Sequence, residues 1–375
     1  MTRRAFMRAA RESTEETQVT ERSFASLRMT HSRRSLFGVI LSASEESLLA
    51  FALLFLAAVA HAQTTPDPKL IEEAKKEGKV VVYAAYSAAD ANAFKAAFEK
   101  KYPFIQFEYF RAGKDKLLAR YVTEVKAGQH LPDVYQSSIF PMMTLMQRGL
   151  IGKYASPERG VYGDQFKDKD GYWTAAYINA MTMAYNTRMV KPAEVPKSYD
   201  ELLQPKWKGK MGMDLNKTEW YVAMLQMMGE EKGKKYMEAL SKQDVQARDG
   251  NTITGQLLVA GEFPLVVSQY PTSVEEYKKV GAPIEWVALD PHFVYSIVIG
   301  VTAKQPHPAA GKLFIDFVLS QEGQKIMRSL SRISVRKDVP PDPPRLIEGR
   351  KLLVVKPASA EDYNRYNNEY HKYFR

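Results

Sequence analysis

Lys79 to Tyr102 reads KVVVYAAYSAADANAFKAAFEKKY, with Gly78 before it and Pro103 after it. The apolar, β-branched run KVVVY is what a strand buried on both faces of a parallel sheet requires. Ser87 can cap a following helix, Phe94 and Phe98 fall at i, i+4 on one of its faces, and Pro103 stops it. The next segments repeat this alternation in kind. Ile105 to Phe110 alternates as a second strand. Asp115 to Lys126 places Leu117, Leu118, Tyr121 and Val125 on one helical face. Asp133-Val134-Tyr135 reads as a short third strand, and Phe140 to Arg148 as a further helix. Strands and helices in this order predict an α/β fold with a parallel sheet and helices on its faces.

The texture changes at Tyr177 to Val190 (YINAMTMAYNTRMV), which is strand-like but lacks the punctuation of a βαβ unit. Pro192, Pro196 and Pro205 then break the chain around a short helix at Ser198–Leu203. A second βα series follows: a strand at Lys210–Asp214, helices at Thr218–Met228, Gly233–Ser241 and Thr252–Ala260, and a strand at Pro264–Ser268. Glu285–Leu289 and Tyr295–Thr302 lead back out. Helices at Pro308–Leu319, Gln321–Leu330 and Glu361–Tyr373 complete the chain. The expected organisation is two α/β lobes joined by two crossing segments. Residues 63–187 supply the first lobe and one crossing segment, and 188–286 the second lobe. The second crossing segment, the rest of the first lobe and a terminal helix fall in 287–375.

The chain has 375 residues, 45% hydrophobic and 26% charged, which is ample for two cores. Cysteine is absent, so disulfides, thiolate metal sites and Cys nucleophiles are excluded. The net charge of +10 is spread along the chain without a basic arm, and no nucleic-acid partner is expected. Leu48 to Ala60 (LLAFALLFLAAVA) has the length of a signal-peptide core, about 7–15 apolar residues, rather than the roughly twenty of a bilayer span. Ala60-His61-Ala62 offers the small-x-small pattern for cleavage after Ala62, so residues 1–62 are read as an extension plus signal peptide and the mature chain as periplasmic. Within that extension Arg11 to Thr30 is too polar to bury, Met29 is an alternative start, and two Arg-Arg pairs echo a twin-arginine signal.

Several segments together carry a family resemblance: GKVVVYAAYS, FEYFRAGKDKLLARYVTEVKAGQHLPDVYQSS, MAYNTRMV, PKSYDELLQPKWKGKMGM and AKQPHPAAGKLFIDFVLSQEGQKIM. Over roughly residues 65–340 the chain resembles the periplasmic solute-binding proteins of ABC importers. These have the type II periplasmic-binding-protein architecture, in the group that contains ferric-iron, thiamine and phosphonate binders. The resemblance implies a two-lobed fold, hinged on two crossing segments, that takes a small polar or anionic solute in its cleft. It further implies a membrane permease as partner and a monomeric, non-enzymatic protein without a cofactor.

Ligands of open α/β sheets sit beyond the carboxyl ends of strands, near helix amino termini. The candidates are therefore Tyr86, Ser87, Arg111, Ser137 and Ser138 in the first lobe. In the second they are Lys217, Thr218, Arg248, Asn251, Thr252, Gln269 and Tyr270. Ser87, Thr218 and Thr252 also read as plain N-caps, and Arg111 and Arg248 as surface ion pairs. Ferric-binding members carry adjacent tyrosines where this chain has Ser268-Gln269-Tyr270-Pro271-Thr272, with one tyrosine. That departure favours an organic anion, phosphonate or polar metabolite over ferric iron, the alternative, and no metal site is expected. HExxH, GxSxG and P-loop patterns are absent from the sequence, and no catalytic residue is expected. An exported enzyme or a ligand sensor is the rival class.

Overall fold

Helix α1 (Pro68–Glu77) opens the computed structural model, which describes residues 66–375. The export segment, its cleavage point and the stretch before them lie outside the described residues. Strand β1 (Lys79–Ala84) leads to α2 (Ala88–Lys101), where Ser87 and Asp90 form a reciprocal capping box. Phe98 of α2 is fully buried and meets Phe314 and Phe317 at ring distances of 5.2 and 5.5 Å. Burying such a ring stabilises the fold by about 1.5–3 kcal/mol. Then come β2 (Gln106–Arg111), α3 (Lys114–Lys126), β3 (Val134–Ser138) and α4 (Ile139–Gln147).

The long strand β4 (Thr174–Asn186) is buried at every position but Asn179. It leads to β5 (Met211–Asp214), α5 (Thr218–Met228), α6 (Glu230–Ser241), β6 (Gln246–Arg248), α7 (Asn251–Ala260), β7 (Leu265–Gln269), α8 (Pro271–Lys279) and β8 (Ile284–Val287). The chain returns through β9 (His292–Val301), α9 (Pro308–Leu319), α10 (Gln321–Ser329), β10 (Leu352–Val354) and α11 (Ala360–Phe374). Among the described residues no helix is long and apolar enough to cross a membrane.

The sheet order is β2-β1-β3-β9-β4-β7-β5-β6, with β10 beside β9 and β8 beside β4. Each half thus repeats one plan. The parallel trio β2-β1-β3 is closed by antiparallel β9, and the parallel trio β6-β5-β7 by antiparallel β4. Strand β4 joins the halves: Thr174–Met181 pair with β9, whereas Thr182–Asn186 pair with β7 or β8. This is a mixed α/β fold in two lobes, with β4 and β9 as the crossing segments.

Several boundaries differ from the sequence reading. The third strand runs on to Ser138, because Tyr135 to Ser138 all find partners on β9. The crossing strand ends at Asn186, where the Asn186 carboxamide accepts from the Arg188 N–H and starts a turn. Strand β6 escaped notice since its three residues are only half-buried and carry no apolar alternation. The glycine of SQEGQ has a steric reason. A Cβ at Gly323 would stand 2.1 Å from the Phe317 carbonyl, where the α9–α10 junction is tightest. Beyond that junction Arg336, itself buried, ties the following loop down through Glu158 (2.5 Å), Asp338 (2.7 Å) and the Leu319 carbonyl (2.9 Å).

Candidate functional site

The carboxyl ends of β1 and β3 face those of β5 and β7 across the crossing strands, and a buried polar cluster fills the space between. On the second lobe Lys217, 1% exposed, ends the β5–α5 turn. Its ammonium donates to Asn251 Oδ1 at 3.1 Å, stands 3.1 Å from the centre of the Tyr270 ring and lies 4.0 Å from Asp214 Oδ2. Asp214 is otherwise engaged, accepting through Oδ1 from the N–H groups of Asn216 and Gly250. Burial therefore outweighs the nearby carboxylates and brings the Lys217 pKa down to about 7. The Tyr270 and Tyr295 hydroxyls meet at 2.8 Å, and Asn179 of β4 donates to Tyr295 at 2.9 Å. Burial raises the pKa of both phenols above the ordinary tyrosine value.

Among the described residues the Tyr86 and Ser138 hydroxyls of the first lobe are buried without a hydrogen-bond partner, while Gln136 and Ser137 lie beside the Tyr177 and Tyr135 hydroxyls. Burial raises Tyr86 well above its usual pKa and brings Tyr177 of β4 up to about 12. Arg332 grips Asp90 through Nε (3.1 Å) and Nη2 (3.2 Å) and lies 5.9 Å from the Tyr177 ring. An ion pair joins α3 to α5 across the cluster: Lys114, at the start of α3, meets Glu219 at 2.5 Å. Burial is the largest single influence and would depress Lys114, but the Glu219 carboxylate, with Tyr363 and Tyr295 beside it, holds the pKa above the ordinary lysine value.

The structure brings Tyr86, Ser137, Ser138, Lys217, Asn251 and Tyr270 into these buried strand ends. Gln269 lies beside them, donating to the Asn251 carbonyl at 3.2 Å. Ser87 spends its hydroxyl on the α2 cap. Thr218 is the first helical residue rather than an N-cap, and its hydroxyl donates to Asn367 of α11 at 2.6 Å. Thr252 lies inside α7, whose N-cap is Gly250, and is exposed. Arg111 and Arg248 are the last residues of β2 and β6. Among the described residues Arg111 makes no ion pair but donates to the Tyr86 carbonyl at 2.8 Å, whereas Arg248 pairs with Glu262. Sequence reasoning missed Lys114, Asn179, Tyr177, Tyr295 and Arg332. Tyr177, Asn179 and Tyr295 sit on the crossing strands, where a polar residue inside an apolar run was the available signal.

Residues 93–347 match the family described as bacterial extracellular solute-binding protein. The chain belongs to that family. Among curated relatives, the Fe(3+)-binding periplasmic protein of Serratia marcescens is 24% identical over 217 residues, 55% of this chain. The chain spans 64% of the length of that relative. Among solved structures, iron-bound HitA from Pseudomonas aeruginosa superposes with a TM-score of 0.69 at 20% identity, covering 79% of this chain and 99% of HitA. AfuA from Actinobacillus pleuropneumoniae, with fructose-6-phosphate bound, gives 0.69 at 22% identity and covers 79% and 98%. These relatives are solute-binding proteins rather than enzymes, and the likeness establishes the two-lobed fold.

Proposed function

We propose that the protein captures a small oxyanionic solute, bearing a phosphate, phosphonate or carboxylate, between its lobes and hands it to the membrane permease of an ABC importer. It does so in the periplasm, as a monomer freed from its export signal after Ala62. The observation that carries the ligand class is an imbalance of hydrogen-bonding capacity. The Tyr86 and Ser138 hydroxyls are unspent and can donate, and Lys217 touches a carboxamide, with Asp214 4.0 Å away and Glu219 nearby. The carboxylates of the cluster are already spent: Asp90 on Arg332, Glu219 on Lys114, Asp214 on backbone N–H groups. Such a lining suits a ligand rich in acceptors. Ferric iron needs anionic oxygens, and here burial keeps the phenols protonated while cations hold two of the carboxylates. AfuA, with its sugar phosphate, is the neighbour whose ligand chemistry fits.

Ligand bridging the lobes favours the closed state by its differential affinity. A thermal-shift panel of sugar phosphates, phosphonates, carboxylates, neutral polyols and ferric citrate tests the reading. An oxyanion should raise the melting temperature by mass action and be recovered unchanged. Stabilisation by iron alone, or turnover of the stabilising compound, would contradict it.

Tyr86→Phe separates binding from folding. Its hydroxyl has no partner in the ligand-free chain, so its removal should leave the melting temperature unchanged or slightly higher. Affinity for the stabilising oxyanion should fall about fivefold, the worth of one hydrogen bond of about 1 kcal/mol, measured by calorimetry.

A further inference from the structure

The terminal helix α11 is bound to the second lobe by polar contacts that converge on the turn carrying Lys217. Tyr370 donates to the Asp214 carbonyl at 2.6 Å, His371 lies 3.1 Å from the Leu215 carbonyl, and Asn367 accepts from Thr218. Farther along α5, Tyr221 donates to Glu369 at 2.7 Å, and Lys234 of α6 pairs with the same carboxylate at 3.1 Å. Against the first lobe, the same helix lays Tyr363 on Phe140 of α4, with ring centres 4.6 Å apart and planes tilted by 22°. Phe140 stands two residues after Ser138. Lys114, the α3 half of the ion pair with Glu219, has its ammonium 5.5 Å from the centre of the Tyr363 ring. Tyr363 is thus a side chain of one lobe's appendage stacked into the other lobe, beside the Lys114–Glu219 salt bridge.

We infer that α11 is an interlobe strap: anchored on the second lobe, it clasps the first through the Tyr363–Phe140 stack, holds the cleft closed and slows the release of captured solute. The contacts assign the two ends different jobs. The anchor is several hydrogen bonds to one rigid turn, whereas the clasp is an aromatic face that can part and re-form as the lobes hinge. An offset-stacked pair is worth enough to shift an opening equilibrium by about two- to tenfold. Because the anchor reaches the β5–α5 turn, the strap also fixes where Lys217 stands when the lobes meet.

The experiment uses Tyr363→Ala and Tyr363→Phe in the mature chain. The absence of cysteine lets Lys116→Cys and Lys279→Cys, exposed positions on α3 and α8, carry the only spin labels. Without any ligand, the interlobe distance should be short in the parent and in Tyr363→Phe, and longer and broader in Tyr363→Ala. Equal distances in all three would overturn the strap. This arm does not depend on the proposed ligand class. In a second arm, stopped-flow release of the oxyanion from the thermal-shift panel should be about two- to tenfold faster for Tyr363→Ala and unchanged for Tyr363→Phe. Unchanged release from Tyr363→Ala would likewise overturn it. If no oxyanion binds the parent, the ligand proposal fails while the distance measurement still decides the strap. A melting temperature for Tyr363→Ala near that of the parent confirms that the anchor survives.

Discussion

Lys217→Met is expected to weaken binding of the captured oxyanion by about a hundredfold, the scale of losing a charge-assisted contact in a desolvated site. Calorimetry on the purified mature chain measures it. The pH dependence has a definite sign. With its pKa brought down to about 7, Lys217 is mostly neutral above that pH in the free protein. An anion favours the charged ammonium, so binding above pH 7 must take up a proton. Affinity should then fall with rising pH by up to tenfold per unit from about pH 7, a range in which a phosphate monoester is already dianionic. The Met variant should show neither the slope nor the proton uptake. Stability runs the other way: between about pH 7 and the ordinary lysine value of about 10.4, the unfolded chain holds a proton that the native chain lacks. Native stability should rise with pH over that window, and Lys217→Met should lose this rise and be the more stable protein below it.

Glu219→Ala should act on closure rather than on folding. In the closed protein it would leave Lys114 without its carboxylate between the lobes, and stranding one member of a largely buried pair is costly. The lobes can avoid that cost by hinging open and letting water reach Lys114. The expected result is therefore a nearly unchanged melting temperature without ligand and an affinity about thirtyfold lower, corresponding to about 2 kcal/mol. Small-angle scattering should show a larger radius of gyration for the ligand-free variant. A variant that melts much earlier at unchanged affinity would place the pair in the fold instead of the hinge.

Both expectations turn on side chains that sequence reading found unequally well. Lys217, Asn251 and Tyr270 were legible, because each follows or abuts a strand whose apolar run could be seen, and position after a strand is a local property. Ser137 and Ser138 were legible for the same reason, though the strand itself runs through them. Lys114 and Glu219 are 105 residues apart, and no periodicity reports a pairing made only when two lobes fold and meet. Tyr177, Asn179 and Tyr295 were hidden inside long strands, where alternation ordinarily signals core. Strand β6 was invisible because three half-buried residues carry no pattern. The lobed α/β plan was readable, since strand–helix alternation repeats on both sides of an interrupted stretch. The terminal helix was readable as a helix but not as a clasp. Its tyrosines at 363, 366, 370 and 373 mark an apolar face without saying which lobe covers it.

Native mass spectrometry of the mature protein, purified without added ligand from cells that import the solute, tests the central claim most directly. The account predicts a bound mass equal to a small organic oxyanion, released on denaturation and missing from Lys217→Met. A bound mass equal to a ferric ion, retained by Lys217→Met, would contradict it.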